Sequence, residues 1–165
     1  MKKTTKERKK KITLAFKGDV NKDDLLIGSH GNTEIRINGN FQLGGIIYCP
    51  KYTVTFIIQG DGRISFRGKC QRIIIKKMQG DCTLDLSDVT YKELHCQSLS
   101  GKAVVMAGNT RAISPAILAD DATLHVDNRH LIFNPVTSGN SRILSSGGLQ
   151  QAQLSLPAIA ATDDE

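Results

Sequence analysis

No apolar run in this chain approaches the roughly 18 residues that a membrane-spanning helix needs. Nor does it open with a charged start, an apolar stretch and a small-residue cleavage site, so no signal peptide is expected and a cytoplasmic location is favoured. Tryptophan is absent and aromatics are only 5% of the 165 residues, which leaves the core to aliphatic side chains. The four cysteines, Cys49, Cys70, Cys82 and Cys96, form no C-x-x-C pair, so nothing in their spacing points to zinc. The four histidines, His30, His95, His125 and His130, recur at no common interval. They therefore indicate neither a metal site nor a catalytic triad.

A large excess of one sign of charge is found only at the start. Residues 1–11 hold seven cations, Lys2, Lys3, Lys6, Arg8, Lys9, Lys10 and Lys11, against Glu7, a balance of +6. The whole chain is also +6, so residues 12–165 sum to zero. Such a run reads as a disordered, solvated tail. Its alternative reading is an anchor for an anionic membrane or a nucleic acid, although it has no aromatic ring for base stacking.

What the chain does have is repetition. A glycine-led phrase returns as Gly31-Asn-Thr-Glu-Ile-Arg-Ile, Gly60-Asp-Gly-Arg-Ile-Ser-Phe, Gly80-Asp-Cys-Thr-Leu-Asp-Leu and Gly101-Lys-Ala-Val-Val-Met-Ala. It continues as Asp120-Asp-Ala-Thr-Leu-His-Val and Gly139-Asn-Ser-Arg-Ile-Leu-Ser, with steps of 29, 20, 21, 19 and 19. The fifth residue of each phrase is a large aliphatic: Ile35, Ile64, Leu84, Val105, Leu124, Ile143. Alternation within the phrase marks a strand with one buried face. A fixed period near twenty marks stacked supersecondary units that cannot bury their apolar faces alone. The expected fold is an all-β, single-stranded, right-handed β-solenoid of about six coils.

A second strand per coil is expected from Tyr52, Val54 and Ile57, which recur as Ile73, Ile75, Met78 and then as Leu94, Cys96, Leu99. Ile113 and Leu118, then Leu131, Phe133 and Val136, continue it less strictly. The second position of the phrase (Asn32, Asp61, Asp81, Lys102, Asp121, Asn140) carries turn chemistry, since Asn and Asp hydrogen-bond nearby backbone. The first coil counts about eight residues too long, and the excess is placed in Phe41–Ile47 as a loop or extra hairpin. Cys82 and Cys96 fall at inward positions. Cys49 and Cys70, one coil apart, should lie nearly over each other, within disulfide reach, and in a reducing cytosol they are expected to stay as stacked, packed thiols.

The resulting organisation is a basic tail over 1–11, a solenoid with N- and C-terminal caps over 12–156, and an acidic tail over 157–165. Ile12–Phe16 and Leu25–Ile27 read as the first cap, and Leu149–Leu156, through Leu154 and Leu156, as the last.

Phrases of the chain resemble two known families. Ile27-Gly-Ser-His-Gly-Asn-Thr-Glu-Ile-Arg-Ile37, Met78-Gln-Gly-Asp-Cys-Thr-Leu-Asp-Leu-Ser-Asp88 and Leu99-Ser-Gly-Lys-Ala-Val-Val-Met-Ala-Gly108 resemble the GIN domain, an adhesin-head family of bacterial right-handed β-solenoids. That resemblance covers about half the chain and implies a binding module without catalytic residues. Glu34-Ile-Arg-Ile-Asn-Gly39 is similar to a coil of the bactofilins, polymer-forming solenoids with short tails.

No catalytic, cofactor-binding or metal-binding residue is assigned from the sequence. Paired-carboxylate hydrolysis needs one acid in an apolar pocket, and the outward acids Asp85, Asp88 and Glu93 lie near Arg63, Arg67 and Lys92 instead. The expectation is a non-enzymatic module that presents an outer sheet or loop to a protein or carbohydrate. Two alternatives stand behind it: self-assembly into a homo-oligomer through solenoid ends or strand edges, and, more remotely, a carbohydrate-active enzyme.

Overall fold

The computed structural model describes residues 11–28, 31–108, 110–126, 131–132 and 135–145. The basic segment before Lys11, His30, His130, Phe133, the expected C-terminal cap and the acidic tail lie outside the described residues. Eleven strands follow in order: β1 (Ile12–Lys17), β2 (Val20–Gly28), β3 (Thr33–Gly80), β4 (Cys82–Thr90), β5 (Glu93–Gly101) and β6 (Val104–Met106). After them come β7 (Ala112–Leu118), β8 (Thr123–Val126), β9 (Leu131–Ile132), β10 (Pro135–Thr137) and β11 (Arg142–Ser145). Every pairing between two of these strands is parallel. Parallel neighbours need a long connection, and here each connection is the rest of one coil. The molecule is a β-solenoid of about six turns with two strand-bearing faces.

The 48-residue β3 runs around the stack without a break. Residues 33–38 pair with β1 on the first face, 41–48 with β2 on the second. Its later segments pair with β4 on the second face and β5 on the first. On the second face Ile64 stacks on Leu84, Leu84 on Val105, Val105 on Leu124 and Leu124 on Ile143. The first four are fully buried. On the first face Ile73, Leu94 and Ile113 form one column, and Met78, Leu99 and Leu118 another. Each such side chain contributes roughly 1.5–3 kcal/mol through burial, so these two sets of columns are the main source of stability.

Three expectations need correction. The first concerns Gly31. Thr33 pairs with Ile12, which puts Ile35 over Leu14 on the first face and not in the Ile64 column. The true corner column runs Gly18, Gly39, Gly60, Gly80, Gly101, Asp120, Gly139, with steps of 21, 21, 20, 21, 19 and 19. Both faces are half-buried strands that follow a polar turn, so a phrase from one face imitates a phrase from the other. Phe41–Ile47 is accordingly no loop or hairpin. It is ordinary strand with Phe41, Leu43 and Ile47 buried, and the eight surplus residues vanish once Gly39 starts the count.

The second correction concerns the earlier first-face rung. Its inward residues are Val54, Phe56 and Ile58, while Tyr52 and Ile57 stay partly exposed. The next rung carries Lys76 and Lys77 side by side in the open between buried Ile75 and Met78. The two open lysines mark a local bulge; since Gly80 stacks on Gly60, a step of 20, a 21-residue count back from Met78 lands on Ile57, one short of inward Ile58. The third concerns the later coils: Ile113 and Leu118 are buried as expected, but Val136 is 53% exposed.

Residues 12–28, expected to cover the first coil, do so as a coil of the same kind, in register with the next. The turn column is an Asx ladder. Asn40 Nδ2 donates to Asp19 Oδ1, the backbone N–H of Asp81 to Asp61 Oδ1, and Asn140 Nδ2 to Asp121 Oδ1, each at 3.1 Å. Asn32 stands outside that ladder and accepts instead from the Thr53 N–H at 3.0 Å. All four cysteines are buried free thiols. Burial pushes Cys70, Cys82 and Cys96 up to about 12, with Cys49 adding to the effect at Cys70.

Candidate functional site

Corner glycines and Asx turns hold the rungs in register, so outward side chains also form columns. On the first face Lys11, Asn32, Thr53 and Arg72 stand at equivalent places on successive rungs, and beside them Glu34, Thr55 and Ile74. With Lys76 and Gln97 they enclose a shallow groove of about 470 Å³. The groove crosses the strands and draws its walls from five consecutive rungs.

Glu34 forms its floor. It lies on an outward position, yet only 2% of it is exposed. Lys11 Nζ approaches one carboxylate oxygen at 2.9 Å and the Arg36 guanidinium holds the other. The two long side chains cover the carboxylate with their aliphatic stems while their charges stay wet. The Lys11 hydrogen bond, working against desolvation and helped by Arg36, keeps the Glu34 carboxyl below the usual carboxylate range. Lys11, counted with the basic tail in the sequence, thus belongs to the solenoid surface.

Further along, Glu93 Oε1 lies 2.8 Å from His95 Nε2 and 3.3 Å from Arg72 Nε. The His95 contact, ahead of the opposing burial and of Arg72, lowers the Glu93 carboxyl. Arg72 Nε is buried and has no aligned hydrogen-bond acceptor. Its ion pair with Glu93 is one of distance alone.

The sum of zero over residues 12–165 hides a polarity. Lys17, Arg36, Arg72, Lys76 and Lys77 stand outward on the first face against Glu34 and Glu93, five cations against two acids, and Lys11, from outside that range, adds a sixth cation. The adjoining corner adds Lys92 and Arg111, stacked by a backbone bond of 3.2 Å. On the second face two cations of β3 lie against acids of β4. Arg63 Nη2 donates to Asp85 Oδ2 at 2.7 Å, and Arg67 sits opposite Asp88. Despite desolvation, the Asp85 carboxyl is held low by Ser87 and Arg63.

The outward acids therefore divide between faces: Asp85 and Asp88 on the second, Glu93 on the first. His95 lies on the first and exposed His125 on the second, across from Met106. Among the described residues no group of three His, Cys, Asp or Glu side chains could hold a metal ion. Among these residues no helix is long and apolar enough to cross a membrane. The groove itself was not foreseen from the sequence. Its signal was present in the 21-residue steps from Lys11 to Asn32 to Thr53 and from Glu34 to Thr55, but counting from Gly31 scattered those residues over unrelated positions.

No family model, no curated protein and no solved structure matches the chain.

Proposed function

We propose that the protein is a non-enzymatic binding module that presents the outer side of its first face to a partner, in the manner the GIN-domain resemblance implies. The observation that carries this reading is the groove across five rungs. Polar groups there are exposed in fixed columns, on a backbone whose core side is fully packed. Such a surface is rigid, so little conformational entropy is lost when it is occupied. Lysine acetylation read by mass spectrometry, with and without a panel of glycans, peptides and nucleic acids, tests it. Protection of Lys11 and Lys76 by some member, with Lys69 and Lys102 still reactive, is expected. Protection confined to Lys69, Lys102 or other positions off the first face would refute the assignment.

A second reading, self-assembly of the bactofilin kind, is favoured by the first rung. Its inward Ile12, Leu14 and Phe16 are only partly buried, unlike their counterparts one turn on. An open strand edge invites pairing with another chain. The β2 edge is blunted by a register shift after Lys22 and by Asp23 and Asp24, whereas among the described residues β1 pairs without a shift and carries no acid. Light scattering of concentrated protein decides: assemblies that Leu14→Lys disperses support this reading, and a monomer at all concentrations ends it. Leu154 and Leu156, read from the sequence as the strand that caps the opposite end, lie outside the described residues. An anchoring role for residues 1–11 at an anionic membrane or nucleic acid stands as a further proposal, read out by salt-sensitive loss of vesicle or oligonucleotide binding when they are removed.

A further inference from the structure

We infer that the first-face groove binds a linear, carboxylate-bearing polysaccharide laid along the solenoid axis; this rests on the reading of that face as the binding surface. Direction is the first argument. Adjacent rungs are ~4.8 Å apart, so walls drawn from five rungs make a trough about four such steps long, running across the strands. A thin, extended, repetitive ligand fits such a trough, and one sugar ring advances by about one rung. Successive rungs would then meet successive sugars.

Charge is the second argument. Lys11, Arg72 and Lys76 line the trough; Lys11 and Arg36 already hold Glu34, and Arg72 shares Glu93 with His95, so the lining keeps a net positive charge centred on Lys76. Arg72 and Lys76 stand on one rung, and Lys76 has no ion-pair partner among the described residues. A guanidinium offers a fork of donors that suits a carboxylate. The remaining polar walls, Asn32, Thr53, Thr55 and Gln97, are neutral groups that both give and accept hydrogen bonds. That is the complement of sugar hydroxyls.

The same walls argue against other polyanions and chains. No aromatic ring lines the trough, so a nucleic acid would find no stacking platform. An extended peptide binds by adding a strand at an open sheet edge, and the trough crosses the middle rungs, whose backbone groups already pair with their neighbours.

The test uses the full chain and a fluorescent oligogalacturonate, with its methyl-esterified form and an oligothymidylate as comparison probes. Polarisation should show binding of the free-acid form that weakens with added salt. Arg72→Gln with Lys76→Gln should weaken it by about tenfold or more, equivalent to ~1.4 kcal/mol. Lys69→Gln on the second face should leave it unchanged, as should thermal melting of the double variant. Equal binding of the esterified form, tighter binding of the oligothymidylate, or indifference to the double substitution would each overturn the inference. If a neutral probe binds and still protects Lys11 and Lys76 from acetylation, the binding face survives and only the ligand class falls. If binding protects other lysines alone, both fall.

Discussion

At Gly60 the backbone has φ +133°, and an added Cβ would lie 1.9 Å from the carbonyl oxygen of Gly39. At Gly18, one end of the same corner column, φ is +76° and nothing lies within 4 Å of that position. Gly18→Ala should therefore cost only the left-handed backbone penalty, ~1 kcal/mol. Gly60→Ala must also push two rungs apart and should cost more than about 3 kcal/mol. Chemical denaturation of both variants checks this, and equal losses would contradict it. Glu34 gives a second residue-scale expectation. Its folded-state pKa is lowered, so it contributes stability that is present above its unfolded value, ~4.3, and is lost as pH falls through the folded value. Glu34→Gln should be less stable than the wild type near neutrality. The gap should close on acidification, as thermal melts across that pH range would show.

Element scale shows what was legible beforehand and what was not. Ile64, Leu84, Val105 and Leu124 announced their column because each follows a corner turn by the same number of residues. Gly31-Asn-Thr-Glu-Ile-Arg-Ile deceived because hydrophobic alternation and a polar turn are common to both faces, and neither says which face a strand belongs to. The bulge at Lys76-Lys77 was illegible for another reason. Two adjacent lysines fit either a turn or a strand edge, and only packing of Met78 against Leu99 fixes which. Cysteine burial could be read from position, whereas the Glu34 cluster could not, since a glutamate between Thr33 and Ile35 reads as plain solvent-facing alternation. The strand Cys82–Thr90 offers the cleanest element-scale test. Leu84→Asp places an unpaired carboxylate in the centre of the core and should cost ~4 kcal/mol or more. Asp85→Leu removes the Arg63 and Ser87 contacts on the outer side and should leave the fold intact, at a cost of about 1 kcal/mol. Circular dichroism with urea titration separates the two, and similar losses would mean that the inside and outside of β4 are misassigned.

For the molecule as a whole, neutrality and uniformity are both only averages. The charge of residues 12–165 cancels in sum but is unevenly sorted, with an excess of cations gathered on the grooved face, where they hold Glu34 and Glu93. Its first rung is equally unlike its middle, since Leu14 and Phe16 are partly open where their counterparts Ile35 and Ile37 are sealed. A sequence total reports neither distribution. Both follow from which column and which rung a residue occupies, and the register settles that.

The corner ladder from Gly18 to Gly139 also makes the length of this protein quantised. Contacts pass only between adjoining rungs, so removing residues 61–80, which joins Gly60 to Asp81, subtracts one whole winding and keeps every later side chain in phase. That shortened chain should still melt cooperatively, whereas loss of Asp85 alone, turning Leu86 toward water, should broaden or abolish the transition. Growth or shrinkage by complete windings is the one change in chain length that such an architecture absorbs without rewriting its interior.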